Sequence, residues 1–341
     1  MEKLETVINR RGEKEKINLN KIAERIEDLA INPKYGKKLN IDTIGLTIET
    51  IKSIYHNITT EKLDDQSCAI AISKYIINDD YGKLAARLAI SNYIKKVDNG
   101  IPFYERLEGV LAPNMIKCFR ENKEFFNELS SVYNNFRFSY RSFFILQKNY
   151  LLRDVKQNPV ETPDQAIMRV AASIVIGSDD KLTDQMKDQI CEIYRALSKS
   201  IFTYATPTIM NAGTINAQYS SCILIHCEDD LNHIFKVMKQ SGISQKYSCG
   251  IGINYTSVRS YGSRIGGTNG RSSGLVPLMR VMNGIGDYID QGGGKRSGTI
   301  SPYIADWNAD LLDVLSLRSV RKTTIAEENH RLYYAVWVSN Y

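Results

Sequence analysis

Between positions 218 and 299 the chain alternates short apolar runs with helical periods and glycine-rich turns, and this alternation narrows the fold more than any other feature. Cys222-Ile223-Leu224-Ile225 reads as a strand, residues 231–241 as a helix, Gly250-Ile251-Gly252-Ile253-Asn254 as a second strand and residues 275–288 as a further helix. Strands separated by a helix run parallel, so a parallel sheet or barrel is expected here. The first strand opens with a lone thiol behind two hydroxyls, Ser220 and Ser221. A thiol at a strand's start can face a polar pocket while its neighbours are buried; by itself such a cysteine is more often structural.

The 341 residues allow two or three domains, and a 43% apolar content suits cores of that size. No apolar run approaches the roughly 18 residues of a membrane-crossing helix. Glu2, Lys3 and Glu5 leave no room for the apolar core of a signal peptide, so a soluble, cytoplasmic chain without membrane partners is expected. The formal charge of +6 comes from 44 basic and 38 acidic residues, well interspersed. No basic stripe with interleaved aromatics occurs, which argues against nucleic acid as a partner, while the small excess suits phosphate-bearing molecules. The six cysteines (68, 118, 191, 222, 227, 249) lack paired Cys-x-x-Cys spacing, so neither a zinc site nor a disulfide framework is expected.

Residues 1–96 read as an α+β domain. Positions 6–10 and 14–19 flank Arg11-Gly12 as a hairpin, and Ile22/Ile26/Leu29, Ile44/Ile48/Ile51 and Ala69/Ile72/Ile76 keep helical spacing before a last helix over 81–96. Asn99-Gly100-Ile101-Pro102 breaks the pattern. Residues 97–215 read as mainly helical, and 216–341 carry the α/β alternation.

In order and spacing, Ser220-Ser221-Cys222-Ile223-Leu224-Ile225, Ser248-Cys249-Gly250-Ile251-Gly252, Gly266-Gly267-Thr268-Asn269-Gly270 and Gln291-Gly292-Gly293-Gly294-Lys295-Arg296-Ser297-Gly298 resemble the large subunit of class I ribonucleotide reductase. Leu332-Tyr333-Tyr334-Ala335-Val336-Trp337 extends the resemblance. It implies reduction of ribonucleoside diphosphates to deoxyribonucleoside diphosphates in a ten-stranded α/β barrel, of which residues 216–341 would be the first half. Cys222 would be one of two reducing thiols. A radical on a third cysteine removes the 3′ hydrogen, the 2′ hydroxyl leaves as water, and the two thiols become a disulfide that thioredoxin or glutaredoxin reopens. The radical cysteine and the second thiol correspond to family strands beyond residue 341. The chain is therefore expected to be a fragment, a truncated product or one half of a split gene, inactive alone. Its implied partners are the missing C-terminal half, a second large subunit and a small subunit that carries the radical metallocofactor, with no metal held directly by this chain.

The resemblance also assigns contacts. Thr206, Ser221 and the backbone of Cys249 and Gly250 would meet substrate, since hydroxyls and N–H groups suit a ribose and a diphosphate. Pro207 is expected to hold Thr206 extended. Cys249 stands where the family usually has Ala or Gly, as either a tolerated small side chain or an auxiliary thiol near Cys222. Asp229, Asp230, Leu231, Lys246, Arg259, Ile265, Gly266 and Gly267 would form the specificity site, which binds a deoxynucleoside triphosphate or ATP across the dimer. Simple helix capping is the competing reading of the two aspartates. Gln291, Gly292, Gly293, Gly294, Lys295 and Arg296 resemble the loop coupling that effector to the substrate base; they lack the spacing of a Walker phosphate loop.

The first domain resembles the ATP-cone, a regulatory nucleotide-binding module, on Val7-Ile8-Asn9-Arg10, Ile58-Thr59-Thr60 with Asp64, and Leu84-Ala85-Ala86-Arg87. Asn9, Arg10, Glu15, Asn18, Lys21, Thr60, Asp64 and Lys95 would then surround ATP or dATP, with Mg2+ arriving on the nucleotide. Family cones often have Lys where this chain has Asn9. The alternative is a non-catalytic nucleotide-binding regulator derived from the reductase, for which Thr206 and Ser221-Cys222 would have no use.

Overall fold

The computed structural model describes residues 6–98, 100–133, 135–177, 181–247, 249–289, 298–317 and 331–340. The chain divides into two compact units, Met1–Thr203 with Ala212–Asn216, and Tyr204–Asn211 with Ala217–Tyr341.

In the first unit, β1 (Thr6–Ile8) pairs antiparallel with β2 (Lys14–Lys16) across a turn in which Gly12 takes a φ of 83°. Positive φ is where glycine carries no Cβ penalty. Helices α1 (Leu19–Ile31), α2 (Thr43–Lys52), α3 (Thr60–Ser73) and α4 (Asp79–Val97) follow, and Ile26, Leu29, Leu46, Leu84 and Leu88 meet in their core. Strand β3 (Ile58–Thr59) pairs parallel with β1. The sequence reading missed it, because two residues are too short to show alternation. Helical spacing located α2 and α3 but misjudged their inner faces. Ile44 and Ile48 are 73% and 48% exposed, α3 ends before Ile76, which is 95% exposed, and Leu46, Thr50, Cys68 and Ala71 are buried instead.

Helices α5 (Phe103–Arg106), α6 (Pro113–Glu121), α7 (Lys123–Ser131), α8 (Tyr140–Asn149), α9 (Pro163–Ile176) and α10 (Asp184–Ser198) complete this unit. Phe103, Phe119, Phe126, Ile176 and Tyr194 fill their core. Within it Arg169 donates to both oxygens of Glu161, at 2.8 and 2.9 Å, and to the Ala212 carbonyl at 2.7 Å, with both ionic side chains fully buried.

The second unit contains α11 (Thr206–Asn211), then β4 (Cys222–His226), α12 (Leu231–Lys246), β5 (Gly250–Asn254), α13 (Leu275–Ile289), β6 (Thr299–Ala305), α14 (Leu311–Ser316) and β7 (Ala335–Trp337). The sheet order is β4-β5-β6-β7 with every pair parallel, as the alternation predicted. Strand order follows chain order, so right-handed crossovers put successive helices on the same face, the arrangement of a barrel wall rather than of a doubly wound sheet. Ile251, Ile253, Ile300 and Ile304 pack on that face against Val237, Met279, Met282 and Val314. Thr206 is not held extended as expected: it is the first residue of α11, where Pro207 in the opening turn costs no helical hydrogen bond. No helix among the described residues is long and apolar enough to cross a membrane.

Candidate active site and nucleotide pocket

Side chains alternate across a strand, so β4 turns Cys222, Leu224 and His226 away from the face that packs on the helices. Cys222 is exposed. Register places it opposite Gly250, which in turn pairs with Thr299, so a thiol, a bare backbone and a hydroxyl form one row at the start of three strands. A Cβ at Gly250 would lie 3.7 Å from both the Ser221 carbonyl and Thr299 Oγ1, so the space above it is open to a ligand. The Gly250 N–H donates to the Ser221 carbonyl at 2.8 Å, which fixes the backbone behind Cys222. One step along, Leu224 and Tyr303 close over Gly252. Thr299 and Tyr303 were missed from sequence; only strand register brings them to this face.

Cys249 is fully buried. Its sulfur accepts from Gln218 Nε2 at 2.8 Å and donates to the Ser220 carbonyl at 3.3 Å. It stands just before β5, buried and hydrogen-bonded, the setting of a small packed side chain, whereas Cys222 is exposed. Thr206 is half-buried at the start of α11, and Thr208 in the same helix donates to the Tyr219 carbonyl at 3.1 Å, tying α11 to the segment leading into β4.

Arg259 Nε donates to both Asp229 oxygens, at 3.0 and 2.7 Å, and the Arg259 backbone N–H also donates to Asp229. Asp230 caps α12 through the His233 N–H at 2.9 Å, and Leu231 beside it is 67% exposed. Ile265 closes a tight turn by donating to the Gly270 carbonyl. Gly266 and Gly267 are exposed, with nothing within 4 Å of where a Cβ would sit, so the fold's own packing places no demand for glycine there. Lys246 does not join this group: fifteen residues along α12 from Leu231, it stands about 22 Å away along the axis. Gln291, Gly292, Gly293, Gly294, Lys295 and Arg296 lie outside the described residues.

In the first unit, Asn9, Arg10 and Glu15 from the hairpin, Asn18 and Lys21 from the start of α1, Thr60 and Asp64 from α3 and Lys95 from α4 line a single cavity of about 640 Å3. Arg25 lines it too and was missed, although it follows Lys21 by four residues and so shares its helix face. Asp64 receives Arg25 at 2.7 Å and Arg10 at 3.2 Å, and Arg10 also donates to Asn92. Asn18 is partly committed, its side chain accepting from the N–H groups of Asn20 and Lys21. Lys95 is lowered to about 8, chiefly by desolvation and then by the Arg25 and Arg10 guanidiniums, with Asp64 pulling the other way. Several cations thus converge on one carboxylate, an electrostatic imbalance that an anion relieves. Among the described residues no group of three or more His, Cys, Asp or Glu is placed to hold a metal.

Two family models match the chain, "Ribonucleotide reductase, all-alpha domain" over residues 136–217 and "Ribonucleotide reductase, barrel domain" over 220–341. The ribonucleoside-diphosphate reductase large subunit of Caenorhabditis elegans is 34% identical over 347 residues, covering 97% of this chain. The chain belongs to the ribonucleotide reductase large-subunit family. Large chain 2 of Saccharomyces cerevisiae and the large subunit of Variola virus are also 34% identical, each over 97% of the chain. These 341 residues span 42%, 38% and 43% of the length of those three relatives. The barrel-domain match contains Cys222 and the four parallel strands, and the match to the all-alpha domain runs from the turn before α8 to just beyond α11.

Proposed function

We propose that these residues form the regulatory and first catalytic portion of a class I ribonucleoside-diphosphate reductase large subunit. The carrying observation is the Cys222 thiol on the helix-free face of a parallel sheet, in register with a glycine and a threonine hydroxyl. Gly250 leaves room for a sugar directly beside the sulfur, and Thr299, with Ser221 and Thr206, supplies hydroxyl partners of the kind a ribose or diphosphate needs. In the full reaction two thiols give up two electrons and two protons, the 2′ hydroxyl departs as water, and one disulfide forms. Cys222 would be one of those thiols. Further strands beside the four-stranded sheet would close a ten-stranded barrel and bring the second thiol and the radical cysteine.

The cavity around Asp64 and Lys95 is read as an ATP-cone taking ATP or dATP, with Mg2+ carried by the phosphates. Its cationic excess supports that reading. The Asp229–Arg259 group with the open backbone at Gly266-Gly267 is read as the specificity site. The separation of Lys246 from Arg259 fits a site shared between two copies, in which opposite ends of α12 come from different subunits. The remaining large-subunit sequence, a radical-bearing small subunit and thioredoxin or glutaredoxin complete the assembly.

The test mixes this chain with a second chain bearing the rest of the barrel, a small subunit, thioredoxin, ATP and CDP. Formation of dCDP that is abolished by Cys222→Ser, with ATP binding intact, supports the proposal. ATP binding without any dCDP favours the non-catalytic regulator, and dCDP formed by the 341 residues with small subunit and thioredoxin alone refutes the need for a second thiol.

A further inference from the structure

A second cavity, of about 1020 Å3, lies in the same unit and shares no lining residue with the cavity around Asp64. Its walls come from the turn after α1, the facing ends of α3 and α4, and the start of α8 with the turn before it. Two chemistries meet there.

The first is aromatic. Tyr35 and Phe136 stand edge to face at 4.7 Å, and Tyr75 lies on the wall above Gly82. A Cβ at position 82 would come within 2.5 Å of the Tyr75 ring, so glycine is what lets that ring lie flush. Gly36 plays a similar part beside Arg87: it holds a φ of 120°, and its Cβ would sit 3.1 Å from the guanidinium.

The second is cationic. Six basic side chains line the cavity against two acidic ones, Asp79 and Asp80. Three of the six are occupied: Lys83 pairs with Asp80, Arg137 with Asp164, and Arg87 donates to the carbonyls of Leu29, Ala30 and Lys37. Lys37, Lys38 and Arg141 are exposed and have no acidic partner among the described residues. They come from two segments far apart in sequence that fold to one rim.

We infer that this cavity is a second nucleotide site, independent of the ATP-cone reading, which takes a nucleoside di- or triphosphate with the base against Tyr35, Phe136 and Tyr75 and the phosphates at Lys37, Lys38 and Arg141. Base stacking on aromatic rings accounts for the apolar wall, and a polyphosphate satisfies three unmatched cations at once. An inorganic polyanion would have no use for the rings. Because the cavity is built from both the hairpin-and-helix module and α8, its occupant ties those two parts together.

Equilibrium dialysis with ATP of the 341-residue chain carrying Arg259→Glu, which removes the proposed specificity site from the count, should give two sites. Lys37→Glu/Lys38→Glu/Arg141→Glu should weaken one at least tenfold and spare the other, whereas Lys21→Glu should do the reverse. The side chains altered at the two cavities are all exposed, and photolabelling of the unmodified protein with azido-ATP, expected on peptides bearing Tyr35, Tyr75 or Phe136, gives a readout independent of the variants. A single site that is lost in Lys21→Glu and untouched by the triple variant overturns the inference and leaves the cone reading standing. A single site lost only in the triple variant supports the inference and removes the cone reading, and no binding removes both. Inorganic tripolyphosphate binding as tightly as ATP to the Lys21→Glu protein would refute the nucleotide assignment.

Discussion

If the cavity around Asp64 takes ATP as proposed, its affinity should depend on pH, and replacing Lys95 with arginine should abolish that dependence. In the empty cavity the Lys95 ammonium is lowered from an ordinary 10.5 to about 8, by desolvation first and by the neighbouring guanidiniums second. A triphosphate beside it favours the charged form and raises it again. At pH 7 the free lysine is already protonated and binding costs no proton. At pH 9 about ten in eleven free molecules are neutral and must take one up, so affinity should fall about tenfold between these two values. Lys95 is partly open to solvent and screening shrinks the effect, so the expected loss is about three- to tenfold. Arginine stays charged throughout and should give a flat profile. Stability without nucleotide moves the other way: between about 8 and 10.5 the unfolded chain holds more protons at this position, so the empty protein gains stability as pH rises through that window. Titration calorimetry at pH 7, 8 and 9, in buffers of differing ionisation enthalpy, measures both affinity and proton uptake. Equal pH slopes for the two proteins, or no slope in either, would refute the electrostatic account of the cavity.

Cys222 is expected to be the fast-reacting thiol toward a maleimide at neutral pH, since burial raises Cys68 to about 12 and Cys118 and Cys227 to about 11. Peptide mapping that finds the fast label elsewhere would remove the exposed-thiol reading. Gly274→Ala should destabilise the second unit by about 2–4 kcal/mol: its Cβ would fall 2.4 Å from Asp310 Oδ2 and 2.7 Å from the Tyr261 nitrogen, at a φ of 74°. That carboxylate accepts from the N–H groups of Tyr261 and Leu275 and so anchors the loop bearing Arg259 and Gly266; an unchanged thermal melt would contradict the prediction. Glu161→Ala takes the carboxylate away from the buried Arg169 guanidinium and should cost about 3–5 kcal/mol in urea unfolding of the first unit, while Glu161→Leu/Arg169→Met should cost less; a larger loss in the double variant would show that the pair is not the source.

Local pattern carried much of this protein. The alternation after position 218 specified parallel strands with intervening helices, because an apolar run and a helical period are written in neighbouring residues. The placement of Cys222 at the head of β4 was legible for the same reason, and the eight cone residues named from motif resemblance all line one cavity. Helical spacing in α2 and α3 was read correctly as helix, yet Ile44 and Ile48 point to solvent and α3 stops short of Ile76. A helix's period reports its backbone, whereas the neighbouring elements decide which stripe is covered. Tertiary structure alone paired Cys222 with Gly250 and Thr299, buried Cys249 while leaving Cys222 exposed, and set Lys246 a helix length from Arg259. Each depends on strand register or element length acting between residues distant along the chain, and the free energy that fixes them comes from non-local packing that no short window of sequence contains.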